Sequence, residues 1–435
     1  MERQTHIAYL VAQIGENRAP KPLLRKNHNN FGLRTQKTYD KISPRTDFST
    51  SESKMHIKRD IDGFLAKRMF GGKTLVIYGP RQSGKTTAVE SYLATHELVS
   101  DVVSFNGDET TDRQLLADAS AEKLRLLVGK KKILFIDEAH KVPNIGLVLK
   151  RAWDKVKGLQ VIASGSSSVE LADKIEEPMT GRKFDYTLMP PSFAELVSVT
   201  SPADELRCIE QRMIYGMYPD VVTHPGDEVD RLRMIGKGYL YKDILAMGEI
   251  KRPELLDRLL SALAFQIGQE VIYSELAQTV GTDDKTVAKY IDILEKAYII
   301  RKVPSYARNL RNELKKSRKI YFNDCGIRNY IIGDWRPLDM RGATEAGHLW
   351  ENYLVAERAK WRLVHEPETR EFFWRTTQQQ EVDLVEESAS GMKAFEFKWN
   401  PRKGKIAPPK TFRSAYPDAD CRTITPQDVL EFLFE

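Results

Sequence analysis

The stretch Gly79-Pro80-Arg81-Gln82-Ser83-Gly84-Lys85-Thr86-Thr87 carries the spacing Gly-x-x-x-x-Gly-Lys-Thr, which suits a loop that cradles a polyphosphate. Glycines at 79 and 84 let the backbone fold around an anion and aim successive N–H groups at it, and the helix that follows adds the partial positive charge of its N-terminus. Lys85 is placed to reach the β- and γ-phosphates. The Thr86 hydroxyl is placed to reach magnesium, which prefers oxygen ligands and arrives with the nucleotide. Further on, the apolar run Ile133-Leu134-Phe135-Ile136 ends in Asp137-Glu138. Asp137 is expected to hold the magnesium shell and Glu138 to polarise an attacking water. Gln160-Val161-Ile162-Ala163 then runs into Ser164, Ser166, Ser167 and Ser168. These hydroxyls suit a sensor of nucleotide state, or alternatively a helix cap and polar turn. Arg182, after Gly181, can offset charge on a transferring phosphoryl group in cis or from a neighbouring subunit; the competing reading is a surface charge.

A second constellation lies near the C-terminus. Alternation along 394–399 puts Phe395, Phe397 and Trp399 on one strand face and Glu396 and Lys398 on the other, ~7 Å apart. Asp383, in the strand candidate 381–385 of the same hairpin, can reach that polar face, and Glu351 in the helix candidate 347–361 would complete the set. Two carboxylates converging with a lysine make a magnesium site with a cation to orient water or offset phosphate charge. Asp-x12-Glu-x-Lys on strands is a nuclease pattern, set against an ordinary amphipathic hairpin with exposed charges.

These residues need elements to position them. Strand candidates 75–78, 101–105, 133–136, 160–163 and 184–187 alternate with helical stretches 87–98, 112–128 and 145–156, which implies a parallel sheet with its ligand at the strands' carboxyl ends. Ser192-Phe193-Ala194-Glu195 is a capping box, which gives Glu195 a structural role. From 202 to 247 the pattern is helical, interrupted at Tyr215-Gly216-Met217-Tyr218-Pro219, and reads as a lid. Residues 274–294 then give a helix, a turn at Gly281 and a second helix with Val287, Tyr290, Ile291 and Leu294 inward. With 298–303 as wing strand, this is a winged helix-turn-helix. Its second helix offers Lys285, Thr286 and Lys289 to DNA, but Asp283, Asp284, Asp292 and Glu295 repel phosphates. The expected basic face is Arg301, Lys302, Arg308, Arg311, Lys315, Lys316, Arg318 and Lys319 against the single acid Glu313; a solvated charge run or a protein-docking module competes with DNA here.

Composition excludes several classes. The formal charge is +6, but residues 1–54 hold ten Lys/Arg against five Asp/Glu, leaving 57 against 56, so basicity says little about the folded part. That segment, rich in Asn, Ser, Thr, Arg and Lys, is expected to be a disordered and optional tail, with Met55 as an alternative start. Cys208, Cys325 and Cys421 form no C-x-x-C pair, so neither a disulfide framework nor a zinc module is supported. No apolar run approaches the ~18 residues of a membrane span and no secretory pattern opens the chain, which argues for the cytoplasm and no membrane partner.

The chain resembles prokaryotic AAA-type P-loop ATPases whose C-terminal half combines a winged helix with a PD-(D/E)xK restriction-endonuclease-like fold of uncertain function. The resemblance covers about 55–400 and rests on 78–87, 135–141, 163–170, Gly181-Arg182, 215–222, 319–326, 351–354, Glu381-Val382-Asp383 and Glu396-Phe397-Lys398. It implies ATP and Mg2+ held by Lys85, Thr86, Asp137 and Glu138, a sensor at Ser164 or Ser166, Arg182 as a finger, and a nuclease-like site of Glu351, Asp383, Glu396 and Lys398. The expected fold class is α/β: a basic tail (1–54), a P-loop parallel-sheet ATPase domain (55–200), a helical lid (201–250), a winged helix-turn-helix (251–340) and an α/β nuclease-like domain (341–435). The expected function is a Mg-dependent ATPase acting on DNA, with a homo-oligomer or protein partner as further candidates. The alternatives are a nucleotide-regulated switch with an inactive nuclease-like domain and an ATP-gated endonuclease.

Overall fold

In the computed structural model, the described residues are 56–165, 175, 178–239, 250, 252–306, 318–400 and 408–434. The expected tail, Ser166 to Ser168, and the basic residues Arg308, Arg311, Lys315 and Lys316 with Glu313 lie outside them.

Five parallel strands form the first sheet: β1 (Thr74–Tyr78), β2 (Val102–Asn106), β3 (Ile133–Asp137), β4 (Gln160–Gly165) and β5 (Lys183–Thr187), in the order β2-β3-β4-β1-β5. Strands β1, β3 and β4 are buried at every residue, which is why they read as unbroken apolar runs. Alternation divides their side chains between two faces. Leu75 and Ile77 pack with Val89 and Leu93 of the helix Lys85–Thr95, while Val76 and Tyr78 pack with Val148 and Leu149 of the helix Ile145–Lys155. The stretch 112–128, read as one helical region, is two helices, Thr110–Leu116 and Ala121–Val128. The second starts where the Ser120 side chain accepts from the Lys123 N–H at 3.2 Å.

Beyond β5, the capping box holds as read: Ser192 accepts from the Glu195 N–H and the Glu195 carboxylate accepts from the Ser192 N–H. Helices Pro202–Tyr215, Pro219–Val222, Glu228–Tyr239 and Pro253–Phe265 follow. Helices Tyr273–Val280 and Asp284–Lys296 then meet across Gly281, which takes the left-handed conformation at φ 74°, and Asp283 caps the second by accepting from the Thr286 N–H. Strands β6 (Glu270–Val271), β7 (Ile300–Pro304) and β8 (Arg318–Phe322) pair antiparallel in the order β6-β8-β7. The helix Ala343–His365 leads into a second sheet of β9 (Arg370–Arg375), β10 (Glu381–Ser388), β11 (Gly391–Phe397) and β12 (Asp420–Ile424), ordered β12-β11-β10-β9.

One apolar cluster runs through all of these later parts. It joins Leu196, Met213, Leu232, Leu260, Ile291, Phe322, Leu354, Phe373 and Phe432, so the segments read as lid, helix-turn-helix and C-terminal domain share a single core. The two motif stretches at 215–222 and 319–326 interlock within it. The Asp324 carboxylate accepts from the Met217 N–H at 2.7 Å and caps the helix Cys325–Ile332. A Cβ on Gly216, at φ 77°, would fall 2.0 Å from Asp324 Oδ1. Gly216→Ala should therefore destabilise the protein by about 2–4 kcal/mol, from left-handed strain plus a clash with a buried carboxylate. A urea midpoint that moves by less than ~0.5 kcal/mol equivalent would show that the interlock is not under this constraint.

Candidate functional site

The phosphate loop leaves β1 and enters the helix Lys85–Thr95. At Gly79 a Cβ would fall 2.1 Å from the Leu188 carbonyl oxygen, so packing against the end of β5 demands glycine whatever the ligand. Gly84 caps the helix in the left-handed region, and Gln82 also takes positive φ. The buried Lys85 ammonium donates to the carbonyls of Gly79 (3.0 Å) and Pro80 (2.8 Å), drawing the lysine back along its own loop. Gln82 and Thr87 face solvent, while Ser83 is buried.

Thr86 Oγ1 donates to Asp137 Oδ2 at 2.7 Å, and the Ser164 hydroxyl donates to the other Asp137 oxygen. This is the consequence of strand order: β4 lies between β1 and β3, so Ser164 at its carboxyl end reaches the acid that closes β3. Glu138 follows in left-handed backbone at φ 47°. Burial pushes its carboxyl above the usual range against the pull of the Lys85 ammonium, and His140 Nδ1 stands 3.4 Å from Oε2. Gly107 lets the end of β2 press against this acid pair. Its N–H donates to the Asp137 carbonyl at 2.8 Å, and a Cβ there would fall 2.2 Å from the Glu138 carbonyl oxygen. Thr86, Asp137 and Ser164 form an all-oxygen set beside a lysine, the donor chemistry that fits magnesium with a polyphosphate.

Arg182 is not brought to this loop. Thr74 pairs with Lys183 in the parallel register of β1 and β5, so Arg182 precedes β5 at the amino ends of the strands while the phosphate loop leaves their carboxyl ends. Its guanidinium instead lies 3.5 Å from Asp154 and 5.3 Å over the Trp153 ring. The five-residue strand separates the two ends by roughly 17 Å, which removes Arg182 as a finger within its own chain.

The second constellation assembles with one change of partner. Glu351 on the helix Ala343–His365 and Glu381 and Asp383 on β10 bring ligand oxygens within 4.8 Å of one another. A register shift between Val382 and Val385 in the pairing of β10 with β9 marks a local irregularity at Asp383, the kind of feature that re-aims a side chain. Glu396 pairs with Lys398 at 3.0 Å, and Lys398 stands 3.9 Å from Asp383. The acid that joins Glu351 and Asp383 is thus Glu381 rather than the expected Glu396. Burial, together with the Asp383 charge, raises the Glu396 carboxyl above its ordinary range.

At the centre is Lys319 of β8, with a side chain 1% exposed. Its ammonium donates to Glu351 Oε1 at 2.7 Å, pairs with Glu381 and stands 4.0 Å from Asp383, while the Tyr321 hydroxyl also donates to Glu351 Oε1, at 2.6 Å. Burial pushes Glu351 up to about 7 even against Lys319. A cavity of about 1010 Å³ opens onto this cluster, lined by Glu351, Glu381, Asp383 and Lys398 and, at the start of β6, by Gln269 and Glu270.

The four described members of the expected basic face, Arg301, Lys302, Arg318 and Lys319, all have partners within the protein. Arg301 meets Glu371 at 3.4 Å, Lys302 meets both Asp292 and Glu295 at 2.6 Å, Arg318 stacks 4.7 Å over Tyr273, and Lys319 is buried. Lys285 and Lys289 remain exposed on the second helix. Sequence reasoning missed Glu381, Lys319 and Tyr321 as members of the cluster. Two-residue spacing on their strands, 381 with 383 and 319 with 321, was the signal that each pair shares a face.

Residues 71–197 match the family model described as an AAA domain. Residues 206–337 match one described as "Domain of unknown function (DUF8612)" and 346–431 one described as "Domain of unknown function (DUF4143)". The part of the chain that holds the phosphate loop is a P-loop domain of the AAA type. The chain is 26% identical over 347 residues to an uncharacterized protein of Mycobacterium tuberculosis, covering 78% of this chain and 74% of that one. It is 22% identical over 349 residues to an uncharacterized protein of Methanocaldococcus jannaschii, covering 76% and 74%. Among solved structures, a Walker-type ATPase of Pyrococcus abyssi aligns with TM-score 0.44 at 14% identity, covering 64% of this chain and 96% of that chain. The ORC1 protein of Aeropyrum pernix in complex with DNA aligns with TM-score 0.32 at 14% identity, covering 65% and 94%. Among the described residues no helix is long and apolar enough to cross a membrane.

Lys319→Met removes the buried cation shared by Glu351, Glu381 and Asp383, leaving, among the described residues, only Arg375 beside Glu381 and Lys398 beside Asp383, and should cost about 3–5 kcal/mol. Adding Glu351→Gln to it should recover part of that loss, because one buried acid is removed while an acceptor for Tyr321 stays. Equal chemical-denaturation midpoints for wild type and Lys319→Met would contradict the ion-pair account.

Proposed function

We propose that this chain is a magnesium-dependent ATPase whose nucleotide site is built together with a winged helix and a nuclease-like acidic cleft, with DNA as its macromolecular partner. The observation that carries the ATPase reading is the convergence of Lys85, Thr86, Asp137, Ser164 and Glu138 at the carboxyl ends of β1, β3 and β4. Magnesium, when bound, would be held by Thr86 and Asp137 and would offset charge on the phosphates. Lys85 binds the β- and γ-phosphates as a point charge, and the loop's backbone N–H groups orient them. Glu138 takes a proton from water at its carboxylate, a role suited to a buried acid with a raised pKa. Ser164, hydrogen-bonded to Asp137, is placed to report nucleotide state.

The winged-helix reading draws support from the two capped helices and the three antiparallel strands around them, and Lys285, Lys289 and Lys296 are exposed on its second helix. A second reading, a nucleotide-regulated switch whose nuclease-like cleft does not cut, is favoured by Lys319, which already offsets the acids' charge.

Lys85→Ala should raise the Kd for ATP about tenfold or more, while Glu138→Gln should keep binding and slow hydrolysis about a hundredfold. Calorimetry and phosphate release measure the two effects, and turnover that is equal in all three proteins would end the assignment. Plasmid incubated with Mg2+ or Mn2+, with and without ATP, tests the cleft. Nicking that disappears in Asp383→Asn supports the nuclease-like reading, and intact plasmid alongside ATP hydrolysis supports the switch.

A further inference from the structure

We infer that Arg59 is a positioning residue for the nucleotide loop, acting through the Ser83 carbonyl. The inference rests on the ATP-binding reading above and adds to it a residue that no motif contains.

Arg59 stands just before the helix Ile61–Arg68 and is 8% exposed. Its guanidinium makes two hydrogen bonds and one ion pair. One terminal nitrogen donates to the Ser83 carbonyl at 2.8 Å and the other to the Met189 carbonyl at 2.6 Å, while Nε lies 3.0 Å from Glu195 Oε1. Ser83 lies inside the phosphate loop, between Gly79 and Lys85. A peptide group is planar and trans, so its C=O and the N–H of the next residue point in opposite directions. Drawing the Ser83 carbonyl toward Arg59 therefore turns the Gly84 N–H away from Arg59, out of the packed side of the loop. The guanidinium does not touch the anion; it sets the direction of an amide that does.

The anchor itself is held. Glu195 also accepts from the N–H groups of Asp60 and Ser192, both at 2.8 Å. The helix it caps is tied in turn to the helix Ala343–His365, where Glu357 Oε2 accepts from the Phe193 N–H at 2.7 Å and Lys360 donates to the Pro191 carbonyl at 3.1 Å. A loop carbonyl is thus fixed by a charge whose counter-ion is fixed by the body of the protein. That differs from a surface pair, whose long side chains move.

The test uses the full chain. Arg59→Lys keeps a cation beside Glu195 but cannot reach three acceptors at once. Its Kd for ATP with magnesium, measured by calorimetry, should rise about tenfold or more, the effect of losing a charge-assisted hydrogen bond, with KM rising more than kcat falls. A Kd within twofold of wild type in a variant with native circular dichroism overturns the inference, because a purely structural arginine would change melting and leave affinity alone. If the variant does not fold, hydrogen exchange on wild type decides. ATP with magnesium should slow exchange at residues 57–60 and 192–196 together with 79–86, and protection confined to 79–86 overturns it. Wild type that ignores ATP in the same calorimeter brings down the nucleotide reading as well, whereas wild type that binds alongside an equally competent Arg59→Lys brings down this inference alone.

Discussion

A charge taken out of water must find a partner, and the helix Ala343–His365 imposes that requirement on most of this molecule. It is buried on nearly every face from Leu349 to Arg362, yet it carries Glu351, Glu357, Arg358, Lys360 and Arg362. Their partners come from several other segments and from the helix itself. Glu351 is met by Lys319 and Tyr321 of β8, Glu357 by the Phe193 N–H and Lys360, and Arg358 by Glu386 of β10 and the Phe432 carbonyl; Arg362 bridges Glu386 and Glu371. Because an unpartnered ion inside a protein costs several kcal/mol, these contacts fix the helix's neighbours as firmly as apolar packing does. The shared core of the later segments follows from this.

The same helix connects the two candidate sites. At its middle, Glu351 faces the acidic cleft. Two turns on, Glu357 and Lys360 hold the turn that opens the capping-box helix, whose Glu195 grips Arg59 beneath the phosphate loop. The nucleotide loop is therefore not a unit merely appended to a second domain. Its position depends on contacts between residues 130 and 164 places apart, Arg59 with Met189 and Phe193 with Glu357.

Local pairing also changes what the charges mean. A run of cations on paper is an electrostatic footprint for nucleic acid only if its members stay in solvent. Here Arg301, Lys302 and Lys319 are neutralised by Glu371, by Asp292 with Glu295, and by the acids of the cleft. The acids of the cleft are likewise not free charges, since Lys319 stands among them and burial raises Glu351.

The gathering of Lys85, Thr86, Asp137 and Ser164 beside the phosphate loop was legible in the sequence, because it is built from contiguous turns whose chemistry is local. The glycines of the loop, Lys85 and Thr86 at the helix start, and two acids closing an apolar strand must occur at fixed spacings, and Ser164 could be placed because it ends the next strand. The acidic cleft was legible in part. Glu351, Asp383, Glu396 and Lys398 do gather, but the entry of Glu381 beside Glu351 and Asp383 comes with a register shift between Val382 and Val385 in the pairing of β10 with β9, and strand periodicity carries no such information. Arg182 could be read as a finger in cis, a finger from a neighbouring subunit or a surface charge, and the parallel register of β1 and β5 removes the first by putting it at the other end of the sheet from the phosphate loop. Arg59 and Lys319 were decided by tertiary structure alone. Each is an ordinary cation in the sequence, and its partners, Ser83, Met189 and Glu195 for one and Glu351, Glu381 and Asp383 for the other, are brought to it only when distant segments close over it and exclude water.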